Sequence, residues 1–440
     1  MVNYGGDEVS ALVLDFGTSS LRAGYAGDDT PKAIIPTSFG FIEEPAEVNG
    51  GDVTMGEAGA TEGEQPQASK PKVKLYIGQN GPSLWRSGMQ IGNPMQDSLI
   101  QNFDAIPPLI SHALSEVMRC NASEHPVLVT EAAWNSPANR ERMAEIMFEE
   151  FQVPAFYIAN TGVLNAFAAG KGSALVIDVG HSTASVVPVV DGFVLRKGLM
   201  HCALPQLVHA HAKHLLTSPT PTRQGIQLIP HQLIASRTPV DAGVPPRFTL
   251  REDRRAGTTD SWRAWAENRE VEEWIQSIGG VLPQGWNDSA ATSQGSRHYE
   301  FPTGYNNYFT GVERYAVGEQ YFAHSAQLMA SNPNLPKTIP SLVTSSIGQC
   351  DLDLRQVLLG NVVLTGGGSL FAGFADRLAN DMGRAFQHVK IHAPGNPTER
   401  RYGGWLGGSI LASLGTFHQL WISKEEWQEH GRAIVGQRCK

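Results

Sequence analysis

The sequence predicts an α/β protein built from two duplicated halves that face one cleft. Three observations carry that reading. A ten-residue phrase, Ala11-Leu12-Val13-Leu14-Asp15-Phe16-Gly17-Thr18-Ser19-Ser20, returns as Ala174-Leu175-Val176-Ile177-Asp178-Val179-Gly180-His181-Ser182-Thr183. In each copy an aliphatic, β-branched run reads as a buried strand closed by an acidic residue, and a Gly with small hydroxyl residues makes a tight turn. A third glycine turn, Gly366-Gly367-Gly368-Ser369, follows another apolar run late in the chain. Facing hairpins of this kind place two sets of backbone N–H groups, suited to phosphate oxygens, beside two carboxylates. The carboxylates would repel phosphate unless a hard divalent cation such as Mg²⁺, with its waters, lay between them.

The elements follow in order. The first hairpin returns over Leu21 to Ala26. Residues 43–74 then stand apart, with Glu43, Glu44, Glu47, Asp52, Glu57, Glu62 and Glu64 among Gly, Pro, Ala and Gln. So little apolar surface cannot offset the entropy of ordering, which predicts a mobile acidic loop, with order resuming near Leu75-Tyr76-Ile77-Gly78. Pro126 to Glu131 reads as a buried strand. Ser136-Pro137 supplies an N-cap and first residue for a helix carrying Met143, Ile146, Met147 and Phe151, ended by Pro154. The second hairpin returns over Ala184 to Val190.

Composition shifts again between about Leu216 and Gln294. Arg247, Arg251, Arg254 and Arg255, interspersed with Glu252 and Asp253, read as a solvated surface rather than a phosphate contact. A helix from Asp260 or Ser261 presents Val271, Trp274, Ile275 and Ile278 on one face and stops at Gly279-Gly280. Regular texture returns with the strand Asn361 to Thr365 and a helix from about Phe374, where Leu378, Met382 and Phe386 recur every fourth residue. Ser423-Lys424-Glu425-Glu426 has the capping-box pattern for a last short helix.

Bulk properties narrow the function classes. The chain has 440 residues, room for two or more domains, and a formal charge of −9 that disfavours a general nucleic-acid binder. Cys120, Cys202, Cys350 and Cys439 are scattered without a CxxC pair, which predicts free thiols in a reducing compartment. The first residues carry neither a basic patch nor an apolar core, and no apolar stretch approaches membrane-spanning length. The expectation is a soluble intracellular protein without a membrane partner. His201, His209, His211 and His214 invite a metal reading, but their helical spacing faces different sides and no carboxylate or Cys completes a set.

Four collinear blocks carry a resemblance to the actin family. They are Ala23-Gly24-Tyr25-Ala26-Gly27-Asp28-Asp29; His125 to Glu131 with Ala138-Asn139-Arg140-Glu141-Arg142-Met143; Cys350-Asp351-Leu352-Asp353-Leu354-Arg355; and Gly407 to Leu414 through Trp421-Ile422-Ser423. The resemblance spans nearly the whole chain and fails mainly at 43–74 and 204–298. Within the family it is greatest to the nuclear branch found in chromatin complexes, on Tyr4-Gly5-Gly6-Asp7-Glu8-Val9, Trp134-Asn135-Ser136, Asp178-Val179-Gly180-His181 and Gly415 to Trp421.

That resemblance implies an actin-like ATPase fold: two duplicated α/β domains, each with a five-stranded sheet, around a nucleotide cleft. It divides the chain into a first domain, 1–168 plus 403–440 with 43–74 inserted, and a second, 169–402, with a divergent subdomain over 205–298. It implies bound ATP with Mg²⁺ or Ca²⁺. The first phosphate loop is Gly17, Thr18, Ser19 and Ser20, with Arg22 matching a phosphate-contacting Lys; the second is Gly180, His181, Ser182 and Thr183. Asp15 and Asp178 hold the metal side through water. Gly366, Gly367, Gly368, Leu370 and Phe371 match the turn near the nucleoside, and Arg401 a Lys beside the adenine. Ser19 and Ser182 each replace a Gly where backbone approaches phosphate closely, which narrows the room.

Hydrolysis needs a water held in line and an acceptor for its proton. The family places a Gln, an Asp and a His there; the matching residues are Thr161, His181 and Ser185, so no catalytic residue is assigned and little or no turnover is expected. The acidic stretch over 43–74 occupies the place of the filament loop, so no homopolymer is expected. Phe167, Leu411, Leu414 and Leu420 match positions lining a hydrophobic cleft. The resemblance implies as partners the helicase-SANT-associated helix of a chromatin-complex scaffold and monomeric actin, with histones or the nucleosome as further contacts, in the nucleus. Two alternatives stay open: an actin-like ATPase forming cytoskeletal filaments, and a small-molecule kinase, for which no catalytic carboxylate motif is found.

Overall fold

A computed structural model describes residues 10–44, 72–221 and 223–440. Two six-stranded sheets form its frame. In the first, β1 (Leu12–Phe16) pairs antiparallel with β2 (Ser20–Tyr25), which pairs with β3 (Ala33–Pro36). On its other side β1 runs parallel to Val127–Glu131, and that strand parallel to Ala155–Asn160. In the second, Ala174–Val179 pairs antiparallel with Ala184–Val190 and parallel with Val362–Thr365, itself parallel to Ile391–His392. The pairing pattern of one sheet is repeated in the other, as the duplicated phrase predicts. Each sheet has one strand more than the five expected, because a two-residue strand extends an edge: Ile422–Ser423 in the first and Phe193–Val194 in the second, while Met200–Cys202 pairs with Ala184–Val190 as β3 pairs with β2.

The central strands are apolar on both faces, as strands covered by helices on either side should be. Leu12, Val13 and Leu14 are fully buried, as are Leu175, Val176 and Ile177. One core gathers residues from 11–164 and 405–439, and a second residues from 175–382. The helix α1 (Pro137–Glu145) opens on Ser136, whose hydroxyl accepts from the Asn139 amide. The capping box at Ser423 is present in full and starts a helix at Lys424. α2 (Thr161–Ala168) and the glycine-rich Gly403–Ser413 helix pack so closely that a Cβ at Gly407 would lie 1.9 Å from the Leu164 carbonyl.

The predicted loop over 43–74 is corrected at both ends. Phe39–Glu44 and Lys72–Tyr76 pair as antiparallel strands, with Glu43 opposite Val73 and Ile42 opposite Lys74. Cross-strand pairing overrides the weak local pattern there; the rest of that stretch, 45–71, lies outside the described residues. Within the divergent region the long helix α3 (Asp260–Ile278) forms as its periodicity predicts, capped by Thr259 and ended at Gly279. Arg254 departs from the solvated reading: its guanidinium donates to the Gln232 carbonyl at 2.6 Å and lies 4.9 Å over the Trp85 ring. Among the described residues no helix is long and apolar enough to cross a membrane.

Candidate functional site: a cleft between two hairpin turns

The two hairpin turns are closed by the same bond. The Gly17 N–H donates to the Ser20 carbonyl at 3.1 Å, and the Gly180 N–H to the Thr183 carbonyl at 2.9 Å. The turns meet across the cleft, with Thr18 Oγ1 2.8 Å from Ser182 Oγ. Among the described residues, the N–H groups of Thr18, Ser19, His181 and Ser182 have no protein acceptor. Carbonyls of the first turn are instead engaged: Thr37 donates its hydroxyl to the Gly17 carbonyl and its N–H to that of Ser19, and Asn93 Nδ2 donates to that of Thr18. Donors are left free and acceptors are occupied, the arrangement an anion needs. Sequence reasoning missed Thr37 and Asn93, since nothing local marks a residue that touches a turn 20 or 75 positions away.

The two aspartates differ sharply. Asp15, 4% exposed, accepts from Arg22 Nη1 and from Thr130 Oγ1, both at 2.6 Å. Arg22 is its cross-strand neighbour; at the equivalent register position Asp178 faces Ser185, which carries no charge. Asp178 is therefore uncompensated in its own half. Burial first, and the nearby Asp15 charge second, push its carboxyl from 3.8 up to about 6, with Arg22 opposing. Gly366, at φ +89°, sits against it: a Cβ there would lie 2.3 Å from Asp178 Oδ1, so only glycine fits.

The remaining predicted residues are placed as follows. Ser20 begins β2, and Thr183 and Ser182 are buried in the second turn. Gly367 and Gly368 continue the third turn, and Arg401 lies beside it, 3.9 Å from where a Gly367 Cβ would be. Leu370 is half-buried, and Phe371 packs edge-on against Tyr321 at 5.7 Å. Thr161 starts α2 and, like Asp15, is within 4 Å of the point a Gly404 Cβ would occupy, so both flank one spot on the cleft floor. His181 turns outward instead, its Nδ1 3.1 Å from Glu272 Oε1 on α3. Ser185 is buried.

A nucleotide with a divalent ion fits this donor set in part. The free turn amides suit phosphate, and the uncompensated Asp178 suits a cation held through water. Asp15 is less available, because Arg22 and Thr130 already hold its oxygens, and Arg22 lies against a carboxylate rather than free for phosphate alone. For hydrolysis the arrangement offers a hydroxyl at Thr161, a buried hydroxyl at Ser185 and an imidazole committed to Glu272.

Elsewhere, Leu414 and Leu420 are 47% and 44% exposed, while Leu411 and Phe167 are half-buried, with Leu411 leaning on the first core. The histidines are dispersed: His201 stacks on Trp134, His209 contacts the Asn268 carbonyl and His214 lies beside Ser218. Among the described residues no three His, Cys, Asp or Glu side chains converge on a metal position.

Comparison with known proteins agrees with the geometry. The profile of the family described as Actin matches residues 6–440. A protein of Emericella nidulans called Actin-related protein 4 is 39% identical, over 99% of this chain and 98% of its own. Proteins of the same name from Mycosarcoma maydis and Schizosaccharomyces pombe are 37% and 35% identical, each over 99% of both chains.

Proposed function

The chain belongs to the actin family, and from that premise we propose that it is a non-polymerising, ATP-holding structural subunit of nuclear chromatin-remodelling and histone acetyltransferase complexes. Members of the family generally bind a nucleotide with a divalent metal. Here ATP is held with Mg²⁺ or Ca²⁺ by the amides of the two turns and the Asp178 side, and is scarcely hydrolysed. The observation that carries this reading is the mismatch inside the cleft. The turns keep amides suited to phosphate, while the residues matching the family's water-holding set are Thr161, Ser185 and a His181 engaged by Glu272. Loss of a single acid–base group costs about 10²- to 10⁴-fold, and grouped losses do not simply multiply.

The partner surface is the apolar groove of Phe167, Leu411, Leu414 and Leu420, which takes the helicase-SANT-associated helix of a scaffold with monomeric actin bound alongside. Helix-in-groove docking needs exposed apolar anchors, and Leu414 and Leu420 supply them. The test mixes the purified chain with actin and the scaffold helix. The wild type should co-elute with both and stay in the supernatant on high-speed sedimentation, whereas Leu414→Asp, which leaves the core untouched, should lose the helix. Pelleting of the chain alone, or unchanged recovery of helix by the variant, would contradict the proposal and favour the filament reading.

A further inference from the structure

The two halves also meet away from their sheets, where residues 76–91 pack against the start of α3. A small apolar cluster forms there from both sides. Met89, Tyr76 and Trp85 come from the first half, and Trp262, Trp265 and Ala266 from the first turns of α3 in the divergent region. Met89 and Trp262 are essentially fully buried, at 0% and 1% exposure, which a loose contact between moving lobes does not achieve. Polar groups ring the cluster and cross the same boundary. The Trp262 indole donates to the Pro82 carbonyl and that of Trp85 to Thr258 Oγ1, both at 2.9 Å. Ser261 Oγ accepts from the Ile91 N–H at 3.1 Å and donates to Gln90 Oε1 at 2.6 Å, while the Gly88 N–H donates to the Gly257 carbonyl at 2.8 Å. A Cβ on Gly257 would come within 2.2 Å of Ser87 Oγ, so the two backbones touch. Further along the same helix Glu272 holds His181 of the second turn.

We infer that this tryptophan-centred contact is a clasp that keeps the cleft shut and retains bound nucleotide kinetically. The inference rests on the nucleotide reading above and adds where retention comes from. Release of a ligand seated between the turns requires the lobes to part. Parting exposes the Trp262 cluster and breaks the crossing bonds, so the energy of the clasp enters the barrier to release rather than the contacts to the ligand. α3 contributes twice: its first turns form the clasp and its Glu272 holds His181 of the second turn.

The test uses the full chain loaded with a fluorescent ATP analogue and chased with excess ATP. Trp262→Ala should speed release by about tenfold or more, because truncating a buried tryptophan removes more than that factor's worth of packing. Ser261→Ala, which removes two crossing bonds and leaves the packing intact, is the milder companion should the first variant fold poorly, and should give a smaller acceleration in the same direction. Uptake by the wild type with equal release rates in wild type and folded variants would overturn the clasp and leave the nucleotide reading standing. No uptake by the wild type would overturn both.

Discussion

At the residue scale the duplicated hairpins have diverged at one decisive position. Cross-strand from Asp15 stands Arg22, and cross-strand from Asp178 stands Ser185. The register follows from the hairpin itself, so the pairing could be read from the sequence. The resemblance implies a phosphate role for Arg22, whereas its charge lies against the Asp15 carboxylate. The consequence is a carboxyl at Asp178 held at about 6, against an ordinary 3.8. A raised carboxyl binds its proton more tightly folded than unfolded, so the contribution of Asp178 to stability falls as pH rises from about 4 to about 6 and is level above that. Asp178→Asn should abolish that slope and raise the stability of the ligand-free chain at pH 7 by at most about 3 kcal/mol, while weakening metal-dependent nucleotide binding. Thermal melts across pH check this; parallel profiles for wild type and variant would refute it.

At the element scale α3 shows what periodicity reveals and what it hides. Val271, Trp274, Ile275 and Ile278 announce a helix by spacing alone, and Gly279 ends it. Trp262 and Ala266 form a second buried stripe on the earlier turns, but their partners lie some 170 residues away, beyond any local signal. The strand ends at Val73 and Lys74 escaped notice for the same reason, since only the opposite strand fixes them. A third feature of the helix is Glu270, buried, with both carboxyl oxygens unpartnered beside Glu267 and Glu273 on its own helix and Tyr299 on a neighbouring strand. Burial, reinforced by those two glutamates, pushes it up to about 8. Its proton is held folded and lost unfolded between about 4.5 and 8, so the contribution of Glu270 to stability declines across that window and is level above it. Glu270→Gln should therefore raise the melting temperature most at pH 8 and above and flatten the profile; a lower melting temperature at pH 8 would show that the carboxylate is compensated.

At the scale of the whole molecule, the fold was legible because its strongest signals are repeated. Two buried strands ending in Asp-x-Gly and one strand ending in three glycines mark both sheets and the turns between them. The contacts that shape the cleft were less legible, because Thr37, Asn93, Glu272 and the Trp262 cluster act across distant parts of the chain. Together these contacts shape the cleft between the two turns, which the proposal above assigns to a retained nucleotide. The most direct measurement is chemical: load the purified chain with ATP, remove the excess, incubate with divalent ion, and identify the nucleotide extracted over time. The account predicts that it remains ATP long after actin would have converted its own. Conversion to ADP with release of phosphate on actin's timescale, or a chain that retains no nucleotide at all, would contradict it.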